Sequence, residues 1–479
     1  MFILLAIFVA FILFLVFIEY RRVTFNRKFK HVPGIEEYPI IGSPFMFLTK
    51  LLSDFEKGVE LVCSKPINKG TYAGIHAFTV YDPDVSRQIL MNPNFIDRPY
   101  FFKFGELPWG LLTSNDDHWH KVKKVMSPSF NQVSVNYNTP IFQKYSKLIC
   151  DELAKHLDAE EFDVAPLLLK FVIPQLIETQ FDVNDYKATK EDLEILPVFS
   201  ETMTFRGINP FYYLDIIFRF TNLYQLSRKW HSYSESLLTP IIDAKRAALS
   251  KQENLGRGNR RYFIYDFLKS DLPSEAVMHN AKLIIPSGFE STVVALGHTL
   301  LLLAMHPEVD KKLYAEIQEF CHDGVEIDHK LLKEMEYLDM VFKEVLRLFP
   351  SVPGTVRSTM KDTFIEGIGV IPKRTVMVVS ALSMHRDPNL WGPKAHLFDP
   401  DHFLPENVAK RHPHCYIPFS TGPRNCVGIH YANLNIKLLL VRILSKYRFT
   451  TSLKFEDLTL RFQLIIRLNC PYLLKVHKR

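Results

Sequence analysis

The chain opens with an uninterrupted apolar stretch, Phe2 to Ile18, and carries its other apolar residues in patterned segments. As a helix rising ~1.5 Å per residue, that stretch spans about 26 Å, close to the hydrocarbon thickness of a bilayer. It has neither the basic leader nor the small-residue cleavage site of a secretory signal, so a retained transmembrane anchor over residues 1–20 is predicted. Arg21, Arg22, Arg27, Lys28 and Lys30 follow, a cluster that the positive-inside tendency holds on the cytosolic side. His31-Val-Pro-Gly34 and Tyr38-Pro-Ile-Ile-Gly42 cannot continue a helix, which predicts a basic and Pro/Gly hinge over residues 21–45 and a separate body over 46–479.

Within the body, from about residue 50 to 350, apolar positions recur every three or four residues, as in Leu331, Leu332, Met335, Leu338, Val341, Phe342, Val345 and Leu346. Strand-like segments are few: Gly369 to Ile371, Thr375 to Ser380 and Leu458 to Leu468. Parallel strand–helix–strand alternation is missing, which argues against a dinucleotide fold. The pattern predicts one large, mainly α-helical domain with small β-sheets at its edge.

Composition narrows the function. With 58 basic and 52 acidic residues the net charge is +6, too mild and too dispersed for nucleic acid as the main partner. The six cysteines have no paired spacing, which disfavours a disulfide framework or a zinc site. Phenylalanine is abundant, 38 residues, and suits a protein with large apolar cavities or interfaces.

The most specific segment is Phe419-Ser-Thr-Gly-Pro-Arg-Asn-Cys-Val-Gly428, which fits FxxGxRxCxG at every fixed position just before the helix-like Ile429 to Leu444. A thiolate that ligates a metal needs backbone donors and small residues around it, so that the loop approaches a flat cofactor closely. Gly422 and Gly428 are placed for that approach, and Arg424 offers a permanent cation to an acidic substituent. Cys426 alone would read as a packed thiol; the five-position pattern reverses that reading.

Through this segment the chain resembles the cytochrome P-450 family, the haem-thiolate monooxygenases, and the resemblance extends over essentially the whole length. It implies the family fold, with Cys426 as the axial thiolate of haem iron and Phe419, Arg424 and Gly428 around the same cofactor. Glu344-Val-Leu-Arg347 puts a carboxylate and a guanidinium on one helix face. Such a pair alone is most often solvated, whereas the resemblance implies a buried structural pair. The family's third partner is an Arg, and His402, in Phe398-Asp-Pro-Asp-His-Phe403, stands in its place.

In Ser274 to Met305, Ile285-Pro-Ser-Gly288 is expected to interrupt a long helix, and Glu290 and Ser291 place a carboxylate beside a hydroxyl that can relay protons through water. This resembles the family's acid–alcohol motif, which implies catalytic roles for Gly288, Glu290 and Ser291, with Ser291 replacing the usual Thr. Trp119-His-Lys-Val-Lys123 resembles the family's WxxxR helix, with Lys123 for Arg, and Arg357 matches a second haem-propionate contact. Gly110-Leu-Leu-Thr-Ser-Asn115, together with the cysteine segment, is most similar to the insect-rich family-4 clan. Members with covalently attached haem carry Glu before the kink glycine; Ser287 sits there, so noncovalent haem b is implied.

The resemblance further implies NADPH-cytochrome P-450 reductase as electron donor, cytochrome b5 as a further partner, O2, a lipophilic substrate (fatty acid, sterol, terpenoid or xenobiotic) and a place on the cytosolic face of the endoplasmic reticulum membrane. Lys121, Lys123, Lys124, Lys410, Arg411, His412 and His414 are candidates for a basic docking face or a merely solvated one. Phe95, Tyr100 to Phe104, Trp109, Phe205, Phe211 to Tyr213, Phe218 and Phe220 are candidates for the substrate pocket, the membrane face or plain core. Two other functions remain open: a haem-thiolate isomerase or dehydratase that works without reductase, and a non-catalytic haem or lipid binding protein.

Overall fold

A computed structural model describes residues 2–43, 54–72, 74–251, 260–322, 325–461 and 463–479. The boundary expected between residues 45 and 46 lies outside the described residues. Helices dominate and the sheets are small, as the spacing of apolar positions predicts.

Two long helices, Val164–Phe181 and Ser274–Met305, are apolar around their whole circumference. A helix of that kind belongs in a core or a bilayer, and here 72% and 78% of their most apolar windows are buried inside the protein. They pack on each other and on Thr139–Leu153, Glu336–Leu348 and Ile429–Leu444 in one hydrophobic core. Ser274–Met305 runs without a break through Pro286, against the expected interruption. Ile284, Ile285 and Phe289 are buried with Pro286, and this packing keeps the helix continuous past the missing donor.

The Phe2–Lys28 helix is the opposite case, with 0% of its apolar window buried. It passes residue 20 and carries the basic cluster with it to Lys28. Its last turns are docked: the rings of Phe25 and Phe29 lie 5.4 and 5.0 Å from that of Phe78. Lys69 Nζ donates to the Phe29 carbonyl at 2.5 Å, satisfying an end that has no helical partner. The Pro/Gly segment beyond lies along a strand. Lys69 N donates to Pro33 O at 2.8 Å, Ile35 N to Lys69 O at 3.0 Å and Ser43 N to Thr71 O at 2.7 Å.

That strand, Ile67–Tyr72, begins a sheet ordered Ile67–Tyr72, Ile75–Val80, Val376–Ser380, Gly354–Ser358, whose middle pair is parallel and whose outer pairs are antiparallel. The expected strands at Gly369–Ile371 and Val376–Ser380 are present. Leu458 to Leu468 is not one strand but a hairpin, Leu460–Arg461 against Arg467–Leu468. Its apolar tip residues Leu464 and Ile465 fold inward to line the central cavity instead of extending a sheet.

Candidate functional site

The segment from Ile417 to Gly428 is a loop closed by its own backbone. Ser420 N donates to Ile417 O at 2.9 Å, Asn425 N to Gly422 O at 3.1 Å and Cys426 N to Phe419 O at 2.9 Å. Gly422 has φ +76°, and a Cβ there would stand 2.1 Å from the Leu90 carbonyl oxygen. Glycine is therefore imposed by the turn and by Leu90, not by a cofactor as the sequence suggested. Around Gly428 the protein leaves room, the nearest atom to a built Cβ being Cys426 Sγ at 3.8 Å. The helix Ile429–Leu444 starts directly after it.

Cys426, Phe419 and Gly428 face a cavity of about 570 Å³. Burial pushes the Cys426 thiol up, and the Gly428 backbone N–H acts in the opposite sense. The opposite wall is aliphatic: Leu112, Leu176, Leu283, Ile284, Leu464 and Ile465. Of the aromatic residues expected at a pocket, Phe102 lines it, whereas Phe95 and Phe218 are buried elsewhere and Phe211 and Phe220 are exposed.

Three guanidiniums gather beside the cavity, Arg98 and Arg424 in its lining and Arg357 outside it. Arg357 donates to Thr355 Oγ1 at 2.5 Å and to the Arg424 carbonyl at 3.3 Å. Arg424 donates to Ser114 O at 2.5 Å and stacks 4.6 Å from the Trp119 ring. Arg98, which the sequence did not single out, donates to Val356 O at 2.8 Å and Thr355 Oγ1 at 3.2 Å. Burial, and then the nearby Arg357 and Arg424, push Arg98 well below its ordinary value. Burial lowers Arg357 to about 10; burial and then Arg357 lower Arg424 to about 9. Among the described residues no carboxylate forms an ion pair with any of the three, and Nε of both Arg98 and Arg424 is buried without a partner. Buried cations in this condition fit a ligand that brings acidic groups. Lys123 also lines the cavity, where its Nζ donates to the Pro423 carbonyl and lies 5.1 Å from the Trp119 ring.

On the far side Ser287, Gly288, Ser291 and Thr292 line the cavity. Ser291 Oγ donates to Ser287 O at 2.9 Å and Thr292 Oγ1 to Gly288 O at 2.7 Å. A Cβ on Gly288 would meet the Leu176 side chain at 2.7 Å, so the glycine lets two core helices approach. Glu290 is not part of the lining, because adjacent residues on a helix diverge by about 100°. It is buried, with Arg467 Nη2 at 3.5 Å, and burial raises its carboxyl to about 7 against the pull of Arg467 and Ser200. The expected carboxylate–hydroxyl pair is thus split between the cavity and the core behind it.

Below the cysteine loop, Glu344 and Arg347 are both fully buried, which removes the solvated reading. Arg347 Nε and Nη2 each donate to the Glu344 carboxylate at 2.7 Å, and the remaining guanidinium protons reach the carbonyls of His385, Ala395 and Leu397 at 2.8, 2.6 and 2.9 Å. His402 Nδ1 lies 3.1 Å from Glu344 Oε1, so the histidine occupies the third place in the network.

Comparison with known proteins agrees with this architecture. The profile described as "Cytochrome P450" matches residues 64–476. The chain is 28% identical to "Probable cytochrome P450 313a4" of Drosophila melanogaster over 485 residues, covering 98% of each protein. It is 30% identical to "Probable cytochrome P450 4ac1" of Drosophila melanogaster, over 84% of this chain and 81% of the relative. It is 28% identical to the human "Cytochrome P450 4V2", over 96% of this chain and 92% of the relative.

Proposed function

Because the chain belongs to the cytochrome P450 family, the haem-thiolate monooxygenases with a cysteine-ligated b-type haem, we propose that it inserts one oxygen atom of O2 into a lipophilic substrate with electrons from NADPH. One arrangement supports the reading: a thiol-bearing loop facing a cavity that Arg98 and Arg424 also line, two guanidiniums with no ion pair to a carboxylate among the described residues and each with a buried, unpartnered Nε. The residues present fit the cofactor. Cys426 would supply the thiolate ligand, Phe419 and Gly428 the flanking surface, and Arg98, Arg357 and Arg424 the cations for its carboxylates, with Trp119 stacked on Arg424. The chemistry a haem would supply there is activation of O2 for insertion into a C–H bond. Lys123 orients the loop through Pro423. Ser287 offers no carboxylate for attachment, so the haem is held noncovalently.

Ser291 Oγ holds a proton at the cavity surface, and Glu290, with a carboxyl that titrates near neutrality, takes up protons from behind it. The aliphatic wall excludes water and favours a fatty acid, sterol, terpenoid or foreign compound. Glu344, Arg347 and His402 hold the element beneath the cysteine loop and do not touch substrate. The apolar Phe2–Lys28 helix and the basic residues at its end support a place on the cytosolic face of the endoplasmic reticulum membrane, where a membrane-bound reductase and cytochrome b5 would be the electron donors.

The test is to incubate the purified protein with reductase, NADPH, labelled dioxygen and a mixed lipid extract. A product carrying one labelled oxygen is expected. A product formed equally well without NADPH and reductase would instead identify an isomerase.

A further inference from the structure

One residue joins the cysteine loop to the Glu344–Arg347 pair beneath it. His385 lies on the short helix Ala381–Arg386 and is fully buried. Its backbone carbonyl accepts Arg347 Nη1 at 2.8 Å. Its ring Nε2 accepts the buried Ile417 N–H, also at 2.8 Å, at the residue where the loop begins. Ile417 O in turn takes the Ser420 N–H that closes the first turn of the loop. Among the described residues, no other side chain accepts a backbone N–H between Ile417 and Gly428.

The helix that carries His385 has a firm seat. Arg386, next in sequence, donates to Leu348 O at 2.9 and 2.6 Å, so residues 385 and 386 both fasten to the last turn of Glu336–Leu348, where carbonyls lack helical partners. Accepting at Nε2 puts the ring proton of His385 on Nδ1. That atom is buried and faces the Leu346 and Arg347 backbone without a full hydrogen bond. Burial, and then Arg347, lower the ring to about 3, so it stays neutral and Nε2 keeps its lone pair. The Tyr416 and Trp391 rings flank it at 5.2 and 6.5 Å.

Elsewhere the loop is held by side chains that reach carbonyls. Tyr416 Oη donates to Lys343 O at 3.0 Å just before it, and Lys123 and Arg357 donate to Pro423 O and Arg424 O within it. His385 instead grips the N–H at the start of the loop, from a helix fastened to the buried pair.

We propose that His385 is a positioning residue for the cysteine ligand, passing the placement of the Glu344–Arg347 pair to the loop through Ile417. It does not line the cavity. The proposal rests on Cys426 being the haem ligand. Without the acceptor, the buried Ile417 N–H is left unpaired, and the loop shifts to find a partner and carries Cys426 with it.

Two amides of different reach separate positioning from packing. In His385→Gln the terminal oxygen can stand about where Nε2 does, whereas in His385→Asn the side chain is too short to reach Ile417. The holoenzyme is reduced under carbon monoxide, and the spectrum of the cysteine-ligated complex is followed at a temperature where far-UV circular dichroism stays native. His385→Asn is expected to lose that spectrum about tenfold faster than the unaltered protein, the factor that ~1.4 kcal/mol of buried hydrogen bonding corresponds to, and His385→Gln to stay within about twofold of it. Amide exchange at Ile417, read by mass spectrometry, should follow the same order and does not depend on the spectrum. His385→Leu, which fills the space without an acceptor, should match His385→Asn and takes its place if that variant fails to fold. Equal loss in His385→Asn and His385→Gln, or no loss in either variant lacking the acceptor, overturns the positioning role. If the unaltered protein gave no cysteine-ligated complex, Cys426 as ligand would fall, and Ile417 exchange unchanged by His385→Asn would overturn the role of His385 by itself.

Discussion

The two sides of the cavity are built on opposite principles. The cysteine side is held by backbone bonds within the loop and, beneath it, by an Arg347–Glu344 pair that is 0% exposed on both partners. The entrance side, at Phe102, is held by the Glu106–Arg228 pair that solvent reaches, by the buried Arg206 against the Phe104 ring, and by Phe102 packed with Phe199 and Met203. Buried charge that is fully bonded is costly to disturb, whereas exposed charge exchanges easily with water. The difference puts the firmer charge pairing on the side where a metal ligand must not move.

The sharpest way to break this contrast is Cys426→Ala, which should abolish thiolate ligation and with it the characteristic spectrum of the reduced carbon monoxide complex, while far-UV circular dichroism stays native. Next is Arg347→Met. It leaves Glu344 buried without its cation and should cost about 3–5 kcal/mol in urea unfolding, against a change below about 1 kcal/mol for Arg228→Gln on the entrance side.

Glu290 gives a titration between the two sides. Its folded carboxyl ionises at about 7, raised from the ordinary 4.5, so its contribution is fully present below 4.5 and is lost as pH rises towards 7. Glu290→Gln should therefore gain stability relative to the unaltered protein across that window, by on the order of 3 kcal/mol, and level off above it. Unfolding at a series of pH values checks this, and a flat difference would show that Glu290 stays ionised throughout. The smallest effect is expected from Arg98→Met, which removes one of the three cations beside the cavity. Haem transfer to apomyoglobin should quicken by about tenfold, as the loss of ~1.4 kcal/mol of charge-assisted bonding implies, with the fold unchanged.

Much of the cysteine side was legible in the sequence because its signal is local. FxxGxRxCxG is one loop, and Glu344 and Arg347 lie one helical turn apart. The burial of that pair, and the way His402 fills the third place, needed the partners at His385, Ala395 and Leu397, which approach from a different part of the chain. Arg98 was illegible for the same reason: a lone arginine before Pro99 acquires meaning only where Thr355, Val356 and Arg424 converge on it. Glu290 and Ser291 are neighbours in sequence, but helical geometry sends them to different sides. Leu464 and Ile465 read as strand because alternation does not tell a strand from a hairpin tip folded inward.

The docking of Phe25 and Phe29 on Phe78 has a consequence for how the enzyme sits on its membrane. A helix that leaves the bilayer and enters the protein core without a joint is a stem, and its inclination is passed to the body. The stretch Phe2 to Ile18 is about as long as a thin bilayer's hydrocarbon layer, and a thinner one makes such a helix lean to keep its apolar length covered. In a bilayer, a body fixed to such a stem would lean with it, so that lipid thickness would set the tilt of the whole domain.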